Sequence, residues 1–591
     1  MAVIYNNVYY EKTRVNMTKS KLFLKNNILI VFSLLFVVVL GTFLRFWRID
    51  TAPKGALIDE LHFGYLAKSL ITTGKDEHGQ SWPVIFAGFG DRKLPAMAYL
   101  DIPSVAIFGL TLIAIRVPSA LAGSILILVS YWLLWEITQR KKWALFAAFI
   151  TAISPWSFFL SRFGFESNIA LLGLSIGLAA LFTAERTSKK FWYIVSALGI
   201  ALTWYSYIAY RPITAVILFV YAVIKLVSGF KENKKTIFLI FISFIVTISP
   251  LLTPKSISVN NTRVGQVGIG SETGTTLIIN EKRTFCATQL PRLLCDIAWN
   301  KPTYMFKELT HRYLMAFSPE FLVTKGELST DFLTVDAFGQ FFPILYPLIF
   351  AGIAGFAFTK KTPLTKIQKW LIIVGLLISP IPSAIVGEPQ KVRISALFPF
   401  LLITITYGAV VIEKFLNTKL LRTIFYLGLI LVLLGYSFLY NMEYFGVHTT
   451  QYEYKYQSYL PTLHRYLDTL PKEAIINIVP FYSDPLMFHA FYTNMNPRVY
   501  QSLAVLDEYD GASFRHTIEL GNIWSHKYSP EYLSCWGLKN NKQVFFVTNV
   551  EQKQLKYTHV EKSANGVNTY VYVYDVSRYM LKEDCETATN L

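Results

Sequence analysis

Residues 116–142 read RVPSALAGSILILVSYWLLWEITQRKK. The stretch 116–138 is apolar and long enough to cross roughly 30 Å of hydrocarbon. It closes on Arg140, Lys141 and Lys142, a basic cluster of the kind enriched in cytoplasmic loops. Working outward, comparable apolar runs recur through the first three quarters of the chain. Eleven spans are predicted, at about 27–47, 116–138, 143–160, 168–184, 191–209, 212–229, 236–253, 340–358, 370–386, 394–412 and 421–441. Alternate connections carry Arg186/Lys189/Lys190, Lys231/Lys234/Lys235, Lys360/Lys361/Lys366/Lys369 and Lys414/Lys419/Arg422. With Lys12, Arg14, Lys19, Lys21 and Lys25 of the tail 1–26, all these clusters fall on one side. The tail is therefore expected in the cytoplasm of a multi-pass protein of the cell membrane, with the C-terminal region outside. The first apolar run lacks a small-residue cleavage pattern behind it and reads as a retained span rather than a signal peptide.

Composition agrees. Of 591 residues 53% are hydrophobic and 16% charged, against roughly 25% charged in soluble domains, which excludes a soluble protein. Aromatics at 16% suit many membrane–water interfaces. The formal charge of 56 − 38 = +18 is largely loop topology, and no nucleic-acid partner is expected.

Residues 94–114 test the topology, because they are apolar yet contain Pro95, Asp101 and Pro103. Counting them as a span would put every basic cluster outside, so this segment is expected to lie on the outer surface or partly embedded. Three outer regions follow, at 48–115, 254–338 and beyond 442. The unit 27–441 is then the membrane domain, and 442–591 reads as a small α/β domain with strand-like stretches at Glu473–Val479, Lys542–Val547 and Thr569–Val576. All four cysteines fall outside, which makes Cys286–Cys295 and Cys535–Cys585 plausible disulfides and zinc improbable.

The first outer region reads Ile58-Asp59-Glu60-Leu61-His62-Phe63-Gly64-Tyr65, with apolar residues then recurring at helical spacing until Gly74. Asp59 reads either as the N-cap of that helix or as a surface carboxylate that takes a proton from an acceptor hydroxyl. Glu60 reads as a first-turn carboxylate, and Asp76-Glu77 as a solvated turn. Arg116, Arg162, Arg211, Lys391 and Arg393 break the positive-inside pattern at outer span ends. A lipid phosphate at headgroup depth would explain them as a group; singly, each could instead snorkel or pair, Arg162 with Glu166 or Arg393 with Glu388. No Walker loop, dinucleotide fingerprint or metalloprotease helix is present, and charges are scarce in the middle of the spans, where a coupled transporter would need them. Asn260-Asn261-Thr262 forms a glycosylation sequon.

Asp59-Glu60-Leu61-His62-Phe63-Gly64 resembles the Asp-Glu motif of the dolichyl-phosphate-mannose protein mannosyltransferases, glycosyltransferase family 39 of the membrane-embedded GT-C class. Gly74-Lys75-Asp76-Glu77-His78-Gly79, Asp91-Arg92-Lys93-Leu94-Pro95, Arg116-Val117-Pro118-Ser119, Ser154-Pro155-Trp156 and Ser161-Arg162-Phe163-Gly164-Phe165-Glu166 resemble its prokaryotic, aminoarabinose-transferase-like branch. The resemblance covers roughly 27–441. It implies a helical polytopic GT-C fold and inverting transfer of one sugar from a polyprenyl-phosphate carrier on the outer face. It further implies Asp59 as base with Glu60 in support, and Lys93 and Arg116 at the donor phosphate. Arg162, Arg211 and Arg393 are phosphate candidates by position, and His62, Asp91 and Glu166 are candidate acceptor or sugar contacts. Lys93-Leu94-Pro95 stands where relatives often have Lys-Pro-Pro, and 254–338 is too short for the β-trefoil of eukaryotic members. No cofactor is required by this chemistry, though a divalent metal is compatible. Protein, lipid headgroup and envelope glycan all remain open as acceptors. A lipid-linked-sugar flippase and a non-catalytic polyprenyl-binding protein are the rival readings.

Overall fold

The computed structural model describes residues 28–88, 91–253, 275–327, 330–358, 364–508 and 516–587. The tail 1–27, the sequon at Asn260 and the Lys360/Lys361 pair lie outside the described residues.

Helices stand at all eleven expected places. They are α1 (Ile28–Phe46), α4 (Leu112–Thr138), α5 (Lys141–Ile153) with α6 (Pro155–Ser161), α7 (Glu166–Thr187), α8 (Lys190–Ser206), α9 (Tyr210–Val227) and α10 (Phe230–Ile248) in the first half. Two non-spanning helices, α2 (Ile58–Thr73) and α3 (Ala96–Phe108), intervene after α1. Three short helices follow α10, α11 (Thr275–Ala287), α12 (Arg292–Ala298) and α13 (Lys301–Met315). The remaining membrane-type helices are α14 (Tyr346–Phe358), α15 (Lys366–Ile378) with α16 (Ile381–Val386), α17 (Phe398–Phe415) and α18 (Lys419–Glu443).

Eight of these places hold helices long and apolar enough to cross a membrane, and the pair α5/α6, bent by 55°, makes a ninth. The expected eleven is corrected to that extent, because α8 has 17 residues and Pro343–Phe358 is likewise short of a full crossing. At 13 residues, α3 is also too short to span.

Ion pairs show that alternate helix ends meet. Arg186 Nε lies 2.6 Å from Glu136, Lys225 3.1 Å from Glu185, and Lys142 pairs with Glu413. The connections after α4, α7, α9 and α17 therefore gather at one end of the bundle, and those carrying Arg48, Arg162 and Lys391 at the other. Close packing comes from small residues, as is usual between apolar helices. A Cβ on Gly199 of α8 would stand 2.7 Å from the Gly177 nitrogen of α7, and one on Gly408 of α17 1.9 Å from the Leu348 carbonyl of α14.

After α18 the chain builds a seven-stranded mixed sheet in the order β4 (Ala504–Leu506), β5 (Thr517–Leu520), β6, β3, β7, β9 and β8 (Tyr557–Lys562). The central β3 (Ile475–Ile478) runs parallel to both β6 (Ile523–Trp524) and β7 (Val544–Thr548), and β9 is Thr569–Asp575. Of these, β3, β7 and β9 match the three strand-like stretches in the sequence, and β6 is not among them. Helices α19 (Leu460–Leu467), α20 (Pro485–Tyr492), α21 (Pro497–Leu503) and α22 (Pro530–Asn540) accompany the sheet. Its core is continuous with the first outer region: Leu61, Tyr65 and Ile115 are buried with Leu463, Phe488, Phe491 and Tyr500. Cys286–Cys295 and Cys535–Cys585 are disulfide-bonded.

Candidate active site

The first turn of α2 carries two adjacent carboxylates with opposite surroundings. Leu57, not Asp59, is the N-cap, and no side chain caps the helix end. The Glu60 carboxylate instead reaches back to accept the Leu57 N–H at 3.0 Å. It also accepts the Gly164 N–H at 3.1 Å and two hydrogen bonds from Arg116, at 3.1 and 2.9 Å. Both Glu60 and Arg116 are buried. The remaining Arg116 N–H groups donate to the carbonyls of Ile49, Pro53 and Gly55 at 2.7, 2.8 and 2.6 Å, so all five guanidinium donors are engaged. Glu60 is thus the hub of a clamp rather than an ordinary first-turn carboxylate.

Asp59 points the other way. Its side chain is 53% exposed, and Lys93 Nζ donates to it at 2.6 Å while the lysine itself is buried. Lys93 ends the hairpin of β1 (Phe86–Gly88) and β2 (Asp91–Lys93), pairs there with Phe86, and lies 4.7 Å over the Phe63 ring. Asp91 begins the same strand; its side chain lies outside the described residues.

Arg162 is not paired with Glu166 by the bonds it makes. It donates to the carbonyls of Leu44, Arg45, Trp47, Arg48 and Ala52. Leu44 and Arg45 lie in the last turn of α1, whose carbonyls lack helical partners and where a cation meets the negative end of the helix dipole, and the other three lie in the loop that follows. Arg116 thus engages all its donors, and Arg162 both its terminal nitrogens, with groups of the protein itself. Arg211 donates to the Trp204 carbonyl at 3.2 and 3.0 Å. Arg393 is partly exposed, with no carboxylate partner among the described residues, Glu388 included. Lys391 is buried, donates to the Leu333 carbonyl, and its backbone N–H donates to Glu327 at 2.6 Å. Burial holds its ammonium down to about 8. Glu166 opens α7, two residues after the Gly164 that binds Glu60.

Asp76 and Glu77 form no solvated turn: both are buried. Asp76 closes the turn by accepting from the N–H groups of His78 and Gln80 at 3.0 and 2.8 Å. Glu77 lies 2.5 Å from His62, one turn beyond Asp59 on α2, and burial raises the Glu77 carboxyl above its usual range. Among the described residues no group of three or more His, Cys, Asp or Glu side chains is arranged to hold a metal ion.

The sequence reading missed several features. Buried Arg45 ties α1 to the α5/α6 bend through Ser161, Ser157, Thr151 and Ala152; its only signal was a cation inside an apolar run. Asp101 is fully buried, and neither carboxyl oxygen has a hydrogen-bond partner among the described residues. Burial, with Glu60 nearby, holds it well above the usual carboxylate range. Asp484 caps α20 from a left-handed conformation at φ 43°, and burial lifts it to about 7.

The family described as dolichyl-phosphate-mannose-protein mannosyltransferase matches residues 35–253. No protein of curated function matches the sequence. Among solved structures, ArnT from Cupriavidus metallidurans bound to undecaprenyl phosphate is 12% identical with a TM-score of 0.52, over 92% of this chain and 97% of that one. Its apo state gives 0.50 at 12% identity, over 93% and 98%. The oligosaccharyltransferase AglB from Archaeoglobus fulgidus gives 0.46 at 13%, over 94% and 75%. A fold shared over nearly the whole of both chains, with that family match across the site, defines a membrane glycosyltransferase of the GT-C class. The family match is confined to residues 35–253, and the likeness to the ArnT fold extends over the rest of the chain.

Proposed function

We propose that this protein transfers a single sugar from a polyprenyl-phosphate carrier to an acceptor hydroxyl at the outer membrane face, with inversion at the anomeric carbon. The observation that carries the reading is the Asp59–Lys93 pair: a half-exposed carboxylate 2.6 Å from a buried ammonium, beside a neighbouring acid whose bonding is saturated. Asp59 accepts the proton of the acceptor hydroxyl as its oxygen attacks the anomeric carbon. The bond from that carbon to the phosphate oxygen breaks, its electron pair leaves with the carrier phosphate, and Lys93 moves from Asp59 to the developing charge. Arg211 and Arg393, at the same end of the bundle, are the further phosphate candidates. Glu60, Arg116 and Arg162 hold the frame.

The family description and the undecaprenyl phosphate bound by ArnT support a lipid-phosphate donor. So does an apolar groove of about 530 Å³ between α14, α15 and α17, lined by Phe317, Ile353, Phe356, Trp370, Leu377 and Leu401, which suits a polyprenyl tail. The basic end of the bundle faces the cytoplasm in this reading, and the sheet domain faces outward. The acceptor is a protein hydroxyl, a lipid headgroup or an envelope glycan.

Purified wild type and Asp59→Asn are offered radiolabelled polyprenyl-phosphate sugars with mixed envelope acceptors, and carrier release is measured. Release by wild type, falling about 10²–10⁴-fold in the variant with donor binding retained, is expected. Equal binding with no release by either protein would end the catalytic reading and favour transport of the intact lipid.

A further inference from the structure

The second outer region holds a feature that the transfer chemistry does not use. Helices α11 and α12 are joined by a short turn and stapled by Cys286–Cys295, nine residues apart. Helix α13 follows directly. Leu293, Leu294 and Ile297 of α12 and Leu290 in the turn before it are each more than half exposed among the described residues, at 71%, 53%, 60% and 55%. Phe285 and Phe306 extend the same kind of surface from the flanking helices. A soluble protein rarely leaves contiguous large apolar side chains open in this way, so the surface needs a partner.

Its charges indicate which one. Residues 275–315 contain six Lys and Arg (Lys282, Arg283, Arg292, Lys301, Lys307, Arg312) against three acids (Glu281, Asp296, Glu308). Lys282 and Lys307 lie 4.9 and 5.3 Å from the Trp299 ring, giving a cation-flanked indole of the sort that settles at headgroup depth. The unit is also anchored at the right height. Tyr313 of α13 donates to the Leu377 carbonyl at 2.9 Å, at the outer end of α15. Leu377 and Ile381, exposed there, continue the apolar surface onto the spanning helices.

We propose that the disulfide-stapled unit 275–315 is an interfacial anchor. Its Leu290/Leu293/Leu294/Ile297 ridge is sunk into the outer leaflet, and its cations lie against anionic phospholipid headgroups. The site faces the leaflet in which a lipid carrier would diffuse, but the anchor's existence does not depend on the transfer reaction.

The test uses the full chain in vesicles of phosphatidylethanolamine with phosphatidylglycerol, and in phosphatidylcholine alone. A photo-crosslinking phenylalanine analogue replaces Leu293 or Ile297, and, as a control, Val567, which is 77% exposed on the sheet domain. Lipid adducts at 293 and 297 at least tenfold above those at 567, and more abundant in the anionic vesicles, are expected. Adducts to a second protein chain, or lipid adducts no more frequent than at 567, would overturn the proposal. Equal yields in both vesicle types would overturn its anionic preference. Because the readout is lipid attachment, failure here is distinguishable from failure of the glycosyl-transfer reading.

Discussion

At the residue scale, the two adjacent carboxylates of the Asp-Glu dipeptide point into opposite surroundings. Asp59 is half exposed and accepts from Lys93, whereas Glu60 is buried with four donors on its two oxygens. Removing the charge at each position should therefore fail differently. Asp59→Asn is expected to lose transfer with a smaller fall in melting temperature than at Glu60, because the carboxylate it removes from Lys93 is half exposed. Glu60→Gln leaves Arg116 as an uncompensated buried cation, and a destabilisation of about 3–5 kcal/mol is expected for breaking such a pair. Thermal melting in detergent alongside carrier release checks both. Asp101 makes the opposite case: burial disfavours its charged form, so Asp101→Asn should cost less than about 1 kcal/mol, as a swap that preserves shape and leaves no new buried charge. A melting shift as large as that of Glu60→Gln would show that the carboxyl is ionised in the fold.

At the scale of elements, helix contacts set both stability and pH response. Gly199 and Gly177 let α7 and α8 approach until a Cβ would clash with backbone. Gly199→Val should push them apart and cost about 1–3 kcal/mol as overpacking, read as a lower melting temperature, while Gly428→Val, where a Cβ meets nothing within 4 Å, should be tolerated. Asp484 gives the pH dependence. Its folded value of about 7 lies above the ordinary value of 3.8 because burial opposes its charge. The folded state thus holds a proton that the unfolded chain has released, and stability falls as pH rises from about 4 to about 7, then levels. Asp484→Asn should remove that slope, and melting curves across this window in both proteins measure it.

At the scale of the whole molecule, the sheet domain grips the helix that carries Asp59. Lys68 of α2 donates to the Asn494 and Met495 carbonyls at 2.7 and 2.9 Å. The Gln501 amide reaches Ser69, Thr73 and the Asp76 carbonyl. Helix α2 is therefore held between the membrane bundle and the sheet, with Gly64 against both Ile115 and Phe491. Lys68→Ala combined with Gln501→Ala should lower turnover several-fold while donor binding is kept, separable by single-turnover kinetics and equilibrium binding. The orientation proposed for the bundle has its own check. A membrane-impermeant thiol reagent should label Asn494→Cys in intact cells, and Lys142→Cys only after the membrane is opened.

What the sequence alone determined follows from local chemistry. Apolar run length and strand-like alternation are properties of short segments, so the helix positions, the non-spanning α3 and three strands of the C-terminal sheet could be read directly. Gly74 ends α2 as its position implied, at φ 68° with its N–H on the Leu70 carbonyl. Which cations face a ligand could not be read. Arg116 and Arg162 stand at outer helix ends just as a phosphate-binding residue would, and only the fold brings the orphan carbonyls of α1 and the loop after it within their reach. Burial of Asp76 and Glu77, the unpartnered Asp101 and the grip of Gln501 on α2 likewise join residues distant in sequence. Solvation and partner choice for a charged group are set by everything within a few ångströms, and that neighbourhood exists only once the chain has folded.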